Sequence, residues 1–251
     1  MRQTLIAGNW KMNRLVSDAL PWIQELEREF PAVRGSAELL LCVPATHIHA
    51  LKQNLKGSAI RLGGQDLSVH DEGAYTGEVS GAMLRDAGAD YVLVGHSERR
   101  QYHAEDDALL NGKVAAAQRS WLIPVLCVGE QEEERDAGNA ASVVLAQLEG
   151  ALEGIEISGS KELVIAYEPV WSIGTGKTAT PEDAQEMCGV IRAWLLDRFP
   201  AHGEGIRVLY GGSMKPDNAA ALLGQPDIDG GLIGGASLEI ADLLAIYGAA
   251  G

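Results

Sequence analysis

The stretch Leu163-Val164-Ile165-Ala166-Tyr167-Glu168-Pro169-Val170-Trp171-Ser172-Ile173-Gly174-Thr175-Gly176-Lys177-Thr178 holds the organisation of the chain in miniature. A short apolar run with β-branched residues reads as a buried strand, a lone carboxylate follows it, and a loop rich in glycine and threonine comes next. Just beyond, Thr180-Pro181-Glu182-Asp183 reads as a capping box with proline at the first helical position, ahead of the helical stripe Met187, Ile191 and Trp194. Strand, polar loop and helix thus form one unit. The fold depends on how often that unit recurs.

It recurs eight times. The apolar runs are Thr4 to Trp10, Leu39 to Val43, Ile60 to Leu62, Tyr91 to Val94, Ile123 to Val128, Leu163 to Tyr167, Arg207 to Tyr210 and Gly231 to Ile233. Helical segments lie between them. In the first, Ala19, Ile23, Leu26 and Phe30 share one face, with Ser17 as N-cap and Pro31 as stop. Runs buried on both sides and joined by helices imply a parallel sheet. Eight such units in 251 residues fit a closed α/β architecture, the (β/α)8 barrel. A doubly wound open sheet is the alternative. No Pro/Gly/Ser-rich linker or shift in composition divides the chain, so residues 1–251 are expected to form a single domain.

With 46% hydrophobic residues, the chain can bury roughly 70–75% of its unfolded surface. The formal net charge of -15 and a pI near 4.8 argue against nucleic acid and against anionic membrane surfaces, both of which call for basic patches. An anionic ligand must therefore be held locally. The run after Met1-Arg2-Gln3-Thr4 stops at Gly8, unlike a signal peptide, and no apolar stretch has the length of a membrane span. Cys42, Cys127 and Cys188 are odd in number and lack Cys-x-x-Cys spacing, so reduced thiols and a cytoplasmic setting are expected. Gln131-Glu132-Glu133-Glu134-Arg135 reads as a solvated acidic segment.

In a barrel the chemistry lies at the C-terminal ends of the strands. There this chain places Gly8-Asn9-Trp10-Lys11, Gly95-His96-Ser97-Glu98, Glu168, Gly211-Gly212-Ser213 and Gly234-Gly235-Ala236-Ser237. A glutamate after a strand is commonly a helix cap or a solvated charge. Beside a lysine, a histidine and a loop able to exclude water, Glu168 reads as a base that removes a proton from carbon. A lone histidine is usually structural, and a lysine near a strand end often only an ion-pair partner. In one mouth, His96 and Lys11 read instead as an electrophile and a charge that stabilises negative charge on a phosphorylated substrate. Gly174, Ser213, Gly234 and Gly235 sit where backbone N–H groups could converge on a phosphate, with a short helix starting near Ser237-Leu238. His47 and His49 lack further ligands at metal spacing and read as surface or loop residues.

Competing motifs fail on spacing. Gly176-Lys177-Thr178 resembles the end of a P-loop, but Trp171 stands where its first glycine belongs, and Leu232 interrupts a dinucleotide fingerprint.

Ala7-Gly8-Asn9-Trp10-Lys11-Met12-Asn13, Gly95-His96-Ser97-Glu98-Arg99-Arg100, Ala166 to Lys177, Tyr210-Gly211-Gly212-Ser213 and Gly234-Gly235-Ala236-Ser237-Leu238 together resemble the triosephosphate isomerase family, from the first strand to the last. The resemblance implies a TIM barrel that interconverts dihydroxyacetone phosphate and D-glyceraldehyde 3-phosphate through an enediolate, with no cofactor and no metal. It makes Glu168 the base, His96 the electrophile, and Lys11 and Asn9 the groups that steady enediolate and phosphate, with Glu98 supporting Lys11 and His96. Gly174, Ser213 and Gly235 become phosphate-binding donors. A glutamate base, a neutral histidine at a helix N-terminus and loop closure are the features already described for this family's own enzyme. The resemblance also implies a homodimer, with Gly73-Ala74-Tyr75-Thr76-Gly77-Glu78 reaching into the neighbouring subunit and Gln65 at the interface. One departure is visible: Ser172 replaces the alanine common in the family's loop, which is expected to change product release more than proton transfer.

Two other readings come from different classes. A barrel that binds a sugar phosphate without turnover needs no base, whereas this chain has Glu168. A Schiff-base aldolase needs a lysine in the middle of the barrel interior, and the fifth to seventh runs contain none.

Overall fold

A computed structural model of the chain describes residues 2–33, 35–55, 57–172 and 179–250. Eight parallel strands close in sequence order: β1 (Leu5–Asn9), β2 (Glu38–Cys42), β3 (Arg61–Gly64), β4 (Tyr91–Val94), β5 (Ile123–Val128), β6 (Val164–Tyr167), β7 (Arg207–Tyr210) and β8 (Gly230–Ile233). The closing pair places Leu5 beside Gly230 and Gly8 beside Ile233. The open sheet is thereby excluded, and each expected run holds a strand with ends moved by two residues at most.

Helices cover the outside: α1 (Val16–Glu29), α2 (Ala45–Asn54), α3 (Gly81–Ala87), α4 (Ser97–His103), α5 (Asp107–Arg119), α6 (Glu132–Asp136), α7 (Ala140–Ala151), α8 (Pro181–Arg198), α9 (Ala219–Leu223) and α10 (Ile240–Gly248). The strands are apolar on both faces because both are covered. Leu5, Ala7, Leu40, Leu93, Val125 and Val164 pack inside the barrel, while Ile6, Leu41, Val94, Leu126 and Ile165 meet the helices. Cys42, Cys127 and Cys188 are free and buried.

The capping box of α8 forms as read: the Thr180 hydroxyl accepts the Asp183 N–H at 3.1 Å, and the Asp183 carboxylate accepts the Thr180 N–H at 3.0 Å. At α1 the cap differs. The helix starts at Val16, before Ser17, and the Asp18 carboxylate accepts the Leu15 N–H at 3.3 Å, so a first-turn aspartate serves where Ser17 was expected. Ala19, Ile23 and Leu26 are buried, but Phe30 is only partly so, lying in the 3-10 turn Phe30–Ala32 that contains Pro31. His47 is not a surface residue: on α2 it is buried, with ring nitrogens 3.0 Å from the Thr46 hydroxyl and 3.1 Å from the Arg14 carbonyl. His49 is exposed. No helix among the described residues is long and apolar enough to cross a membrane.

Candidate active site

Strand alternation decides which side chains reach the barrel mouth. Leu5 and Ala7 face the interior, so Asn9 continues inward from β1; Val164 and Ala166 do the same in β6, and Glu168 follows. The matching positions beyond β5, β7 and β8 are Gly129, Gly211 and Gly234, of which Gly211 and Gly234 line the cleft. At Gly129 the space is needed by the fold itself: a Cβ would stand 1.7 Å from the Glu168 carbonyl oxygen.

His96 breaks the parity. Tyr91 and Leu93 face inward, so the inward position beyond β4 is Gly95. Gly95 turns the chain through a left-handed φ of 71°, and a Cβ there would lie 2.5 Å from Leu110. The turn places His96 at the N-terminus of α4, where its Nδ1 accepts the Glu98 N–H at 3.2 Å. An N–H can only donate, so Nε2 is the nitrogen that bears the proton. That Nε2 lies 3.0 Å from Glu168 Oε1.

Glu168 is 2% exposed and His96 6%. The Ser97 N–H donates to Glu168 Oε2 at 2.9 Å and the Ser97 hydroxyl to Oε1 at 3.3 Å. Burial disfavours the charged His96 ring, but the Glu168 and Glu98 carboxylates outweigh it, so the proton affinity of His96 is raised in this arrangement. Lys11 is held in the left-handed region at φ 52°, a conformation that costs a non-glycine residue about 1–2 kcal/mol. Its N–H donates to Asn9 Oδ1 at 3.0 Å, Gln65 Nε2 donates to its carbonyl at 2.9 Å, and its Nζ meets Glu98 Oε1 at 2.6 Å.

These groups share a cleft of about 600 Å³ with Ser213, Gly234 and Gly235. Beyond β8 a 3-10 turn, Gly235–Leu238, precedes α10, so helical geometry begins two residues before Ser237 and the α-helix three after it. A Cβ on Gly235 would meet nothing within 4 Å, so this backbone is open to the cleft. Gly174 lies outside the described residues. A larger cavity, about 1020 Å³, opens at the opposite end of the barrel and holds none of these groups. Among the described residues no cluster of three or more His, Cys, Asp or Glu could hold a metal ion.

Sequence reading missed the role of Ser97 and the support beneath the loop. Glu130 is fully buried and accepts bonds from Tyr167 Oη at 3.1 Å and Trp171 Nε1 at 2.8 Å. Arg135, read as part of a solvated segment, instead lies 4.4 Å over the Trp171 ring and pairs with Asp183 at 2.8 Å. The signal was there: Glu130 ends the polar turn after the fifth run, as Glu168 follows the sixth.

The family model described as triosephosphate isomerase matches residues 4–250. The chain belongs to the triosephosphate isomerase family. The triosephosphate isomerase of Deinococcus radiodurans is 49% identical over 98% of this chain and 99% of its own length. That of Thermus thermophilus is 50% identical over the whole of both chains. The crystal structure of triosephosphate isomerase from Bartonella henselae superposes with a TM-score of 0.90 at 41% identity, covering 98% of each chain. In a triosephosphate isomerase barrel the cleft at the strand C-termini, rather than the larger cavity opposite, is where the chemistry belongs.

Proposed function

We propose that Glu168, His96, Lys11 and Asn9 carry the isomerase reaction, the interconversion of dihydroxyacetone phosphate and D-glyceraldehyde 3-phosphate. The observation behind this is the buried Glu168 carboxylate 3.0 Å from the proton-bearing His96 nitrogen, in a cleft beside Lys11. Glu168 takes a proton from the carbon next to the substrate carbonyl. The C–H electron pair becomes the C=C bond of an enediolate, and the carbonyl π pair moves onto oxygen. His96 Nε2–H, Asn9 and the Lys11 ammonium stabilise that oxygen; His96 gives it the Nε2 proton and takes the proton of the neighbouring hydroxyl, whose oxygen becomes the new carbonyl as Glu168 returns its proton to the adjacent carbon.

The phosphate is held by backbone N–H groups at Ser213, Gly234 and Gly235 and by Lys11, with Gly174 added by resemblance. Glu98 positions Lys11 through its 2.6 Å contact. Both Glu168 oxygens are engaged by Ser97 and His96, so Glu168 exchanges these partners for the substrate carbon. That exchange removes the nearer of the two carboxylates that raise His96, which leaves burial and Lys11 to favour the neutral ring needed for an electrophile against Glu98 alone.

The reaction needs no cofactor. Residues 1–251 act as one barrel domain in the cytoplasm. The chain pairs with a second copy through Gly73–Glu78. Support comes from that loop's exposure, from left-handed Gly73 and Gly77 at φ 131° and 95°, and from Tyr75 stacked on His70 at 3.7 Å. Turnover of D-glyceraldehyde 3-phosphate in a coupled assay tests the reading. Activity that persists with a chelator and falls about 10²–10⁴-fold in Glu168→Gln supports it. Absence of turnover with triose phosphate still bound means a non-catalytic barrel.

A further inference from the structure

The cavity at the N-terminal mouth of the barrel, at the far end from Glu168, has the composition of a second ligand site. Its lining carries Arg2, Arg61, Arg85, Lys161 and Arg207 against three carboxylates, Glu38, Asp90 and Glu204, in a chain of net charge -15. Most of the cations are occupied. Arg207 bonds Glu38 at 2.7 Å and the Tyr91 hydroxyl at 2.8 Å, Arg85 meets Asp90 at 2.8 Å, and Arg2 meets Glu204 at 2.7 Å. Arg61 is held less closely, 3.7 Å from Glu38 and 3.5 Å from Asp90, and Lys161 has no hydrogen-bond or ion-pair partner among the described residues.

Trp121 stands on the same rim, 84% exposed. Its φ is 58°, a left-handed conformation in which a bulky residue is an outlier. Neither burial nor conformation accounts for a tryptophan there. A surface turn needing positive φ is best served by glycine, and an exposed indole gains nothing from the core.

We propose that this mouth binds a nucleoside phosphate, with Trp121 stacking on the base and Arg61 and Lys161 taking the phosphates. An open indole face suits a planar ring, and the unpaired Lys161 with the loosely held Arg61 supplies charge that the closely paired arginines do not. About 1020 Å³ is room enough for a nucleotide.

ADP titrated calorimetrically into the whole protein, with the catalytic cleft saturated by glycerol 3-phosphate, tests this. Pyrophosphate and adenosine serve as half-ligands. The expected result is ADP binding at one site per chain, at least about tenfold tighter than either half-ligand, the scale of one stacking contact. Trp121→Gly should weaken ADP by about tenfold or more while raising the unfolding temperature, since glycine relieves the positive φ. Lys161→Ala should weaken ADP and pyrophosphate alike. Both variants should keep wild-type isomerase kinetics. No ADP binding, ADP displaced by glycerol 3-phosphate, pyrophosphate binding as tightly as ADP, or ADP affinity unchanged in Trp121→Gly each overturns the proposal.

Discussion

Glu168 rests against His96 and Ser97, and that contact carries a measurable consequence for the ring. With the carboxylate 3.0 Å away, His96 holds its proton above the ordinary value near 6.5. When Glu168 turns to substrate its raising influence is withdrawn while burial and the Glu98 carboxylate remain, so the proton affinity of His96 falls. The nuclear magnetic resonance titration of His96 should therefore have its midpoint above 6.5 in the free protein and move down on binding glycerol 3-phosphate; a midpoint that stays or rises contradicts the exchange of partners. Asn9, His96 and Glu168 were all read into the mouth from their place just after an apolar run. How His96 reaches it was not legible, because Gly95 resets the parity of its strand through a φ that a sequence does not display. Ser97 escaped notice for a related reason: its bond to Glu168 joins groups 71 residues apart.

At the scale of elements, the β6 unit shows how strand, turn and helix are tied. Ser172, 2% exposed, donates its N–H and its hydroxyl to the Pro169 carbonyl, both at 2.9 Å, closing the 3-10 turn Val170–Ser172. Trp171 is fixed on Glu130 and Arg135, and Arg135 reaches on to Asp183 in the α8 capping box. Ser172→Ala removes one bond from a turn that keeps its other anchors. The expected cost in stability is about 1 kcal/mol, with the kinetic change falling on product release. A changed isotope effect on proton transfer with release untouched contradicts this. Apolar runs located all eight strands because a strand covered on both faces keeps its polar residues, such as Asn9, Glu38, Arg61 and Arg207, to its ends. The α8 cap was read directly from four adjacent residues, whereas at α1 two short polar side chains, Ser17 and Asp18, competed for the cap and the aspartate holds it.

For the whole molecule, the two ends of the barrel differ in lining: the C-terminal mouth holds the groups proposed for isomerisation, and the N-terminal mouth gathers cations and carboxylates around an exposed tryptophan. Exposed hydrophobic residues are a third feature. Met12, Leu15, Tyr75 and Tyr102 are 95%, 70%, 44% and 71% exposed, apolar surface that suits burial against a second copy. Tyr75→Asp should give a folded monomer in sedimentation experiments, with activity lower by about a hundredfold, the scale of a misplaced catalytic group. A fully active monomer would overturn the dimer. Closure of the barrel followed from the count of units and their length, but the proposed pairing of two chains has no local signature beyond a glycine-rich loop, since an interface belongs to no single stretch of sequence.

The proton that Glu168 is proposed to take from carbon can be followed by its exchange with solvent. Dihydroxyacetone phosphate is incubated in deuterium oxide with the wild-type protein and with Glu168→Gln, and the exchange of hydrogen next to the carbonyl is followed by nuclear magnetic resonance. Rapid exchange with the wild type and a rate about 10²–10⁴-fold lower with the variant is the expected result. Exchange by Glu168→Gln at the wild-type rate would place the base elsewhere.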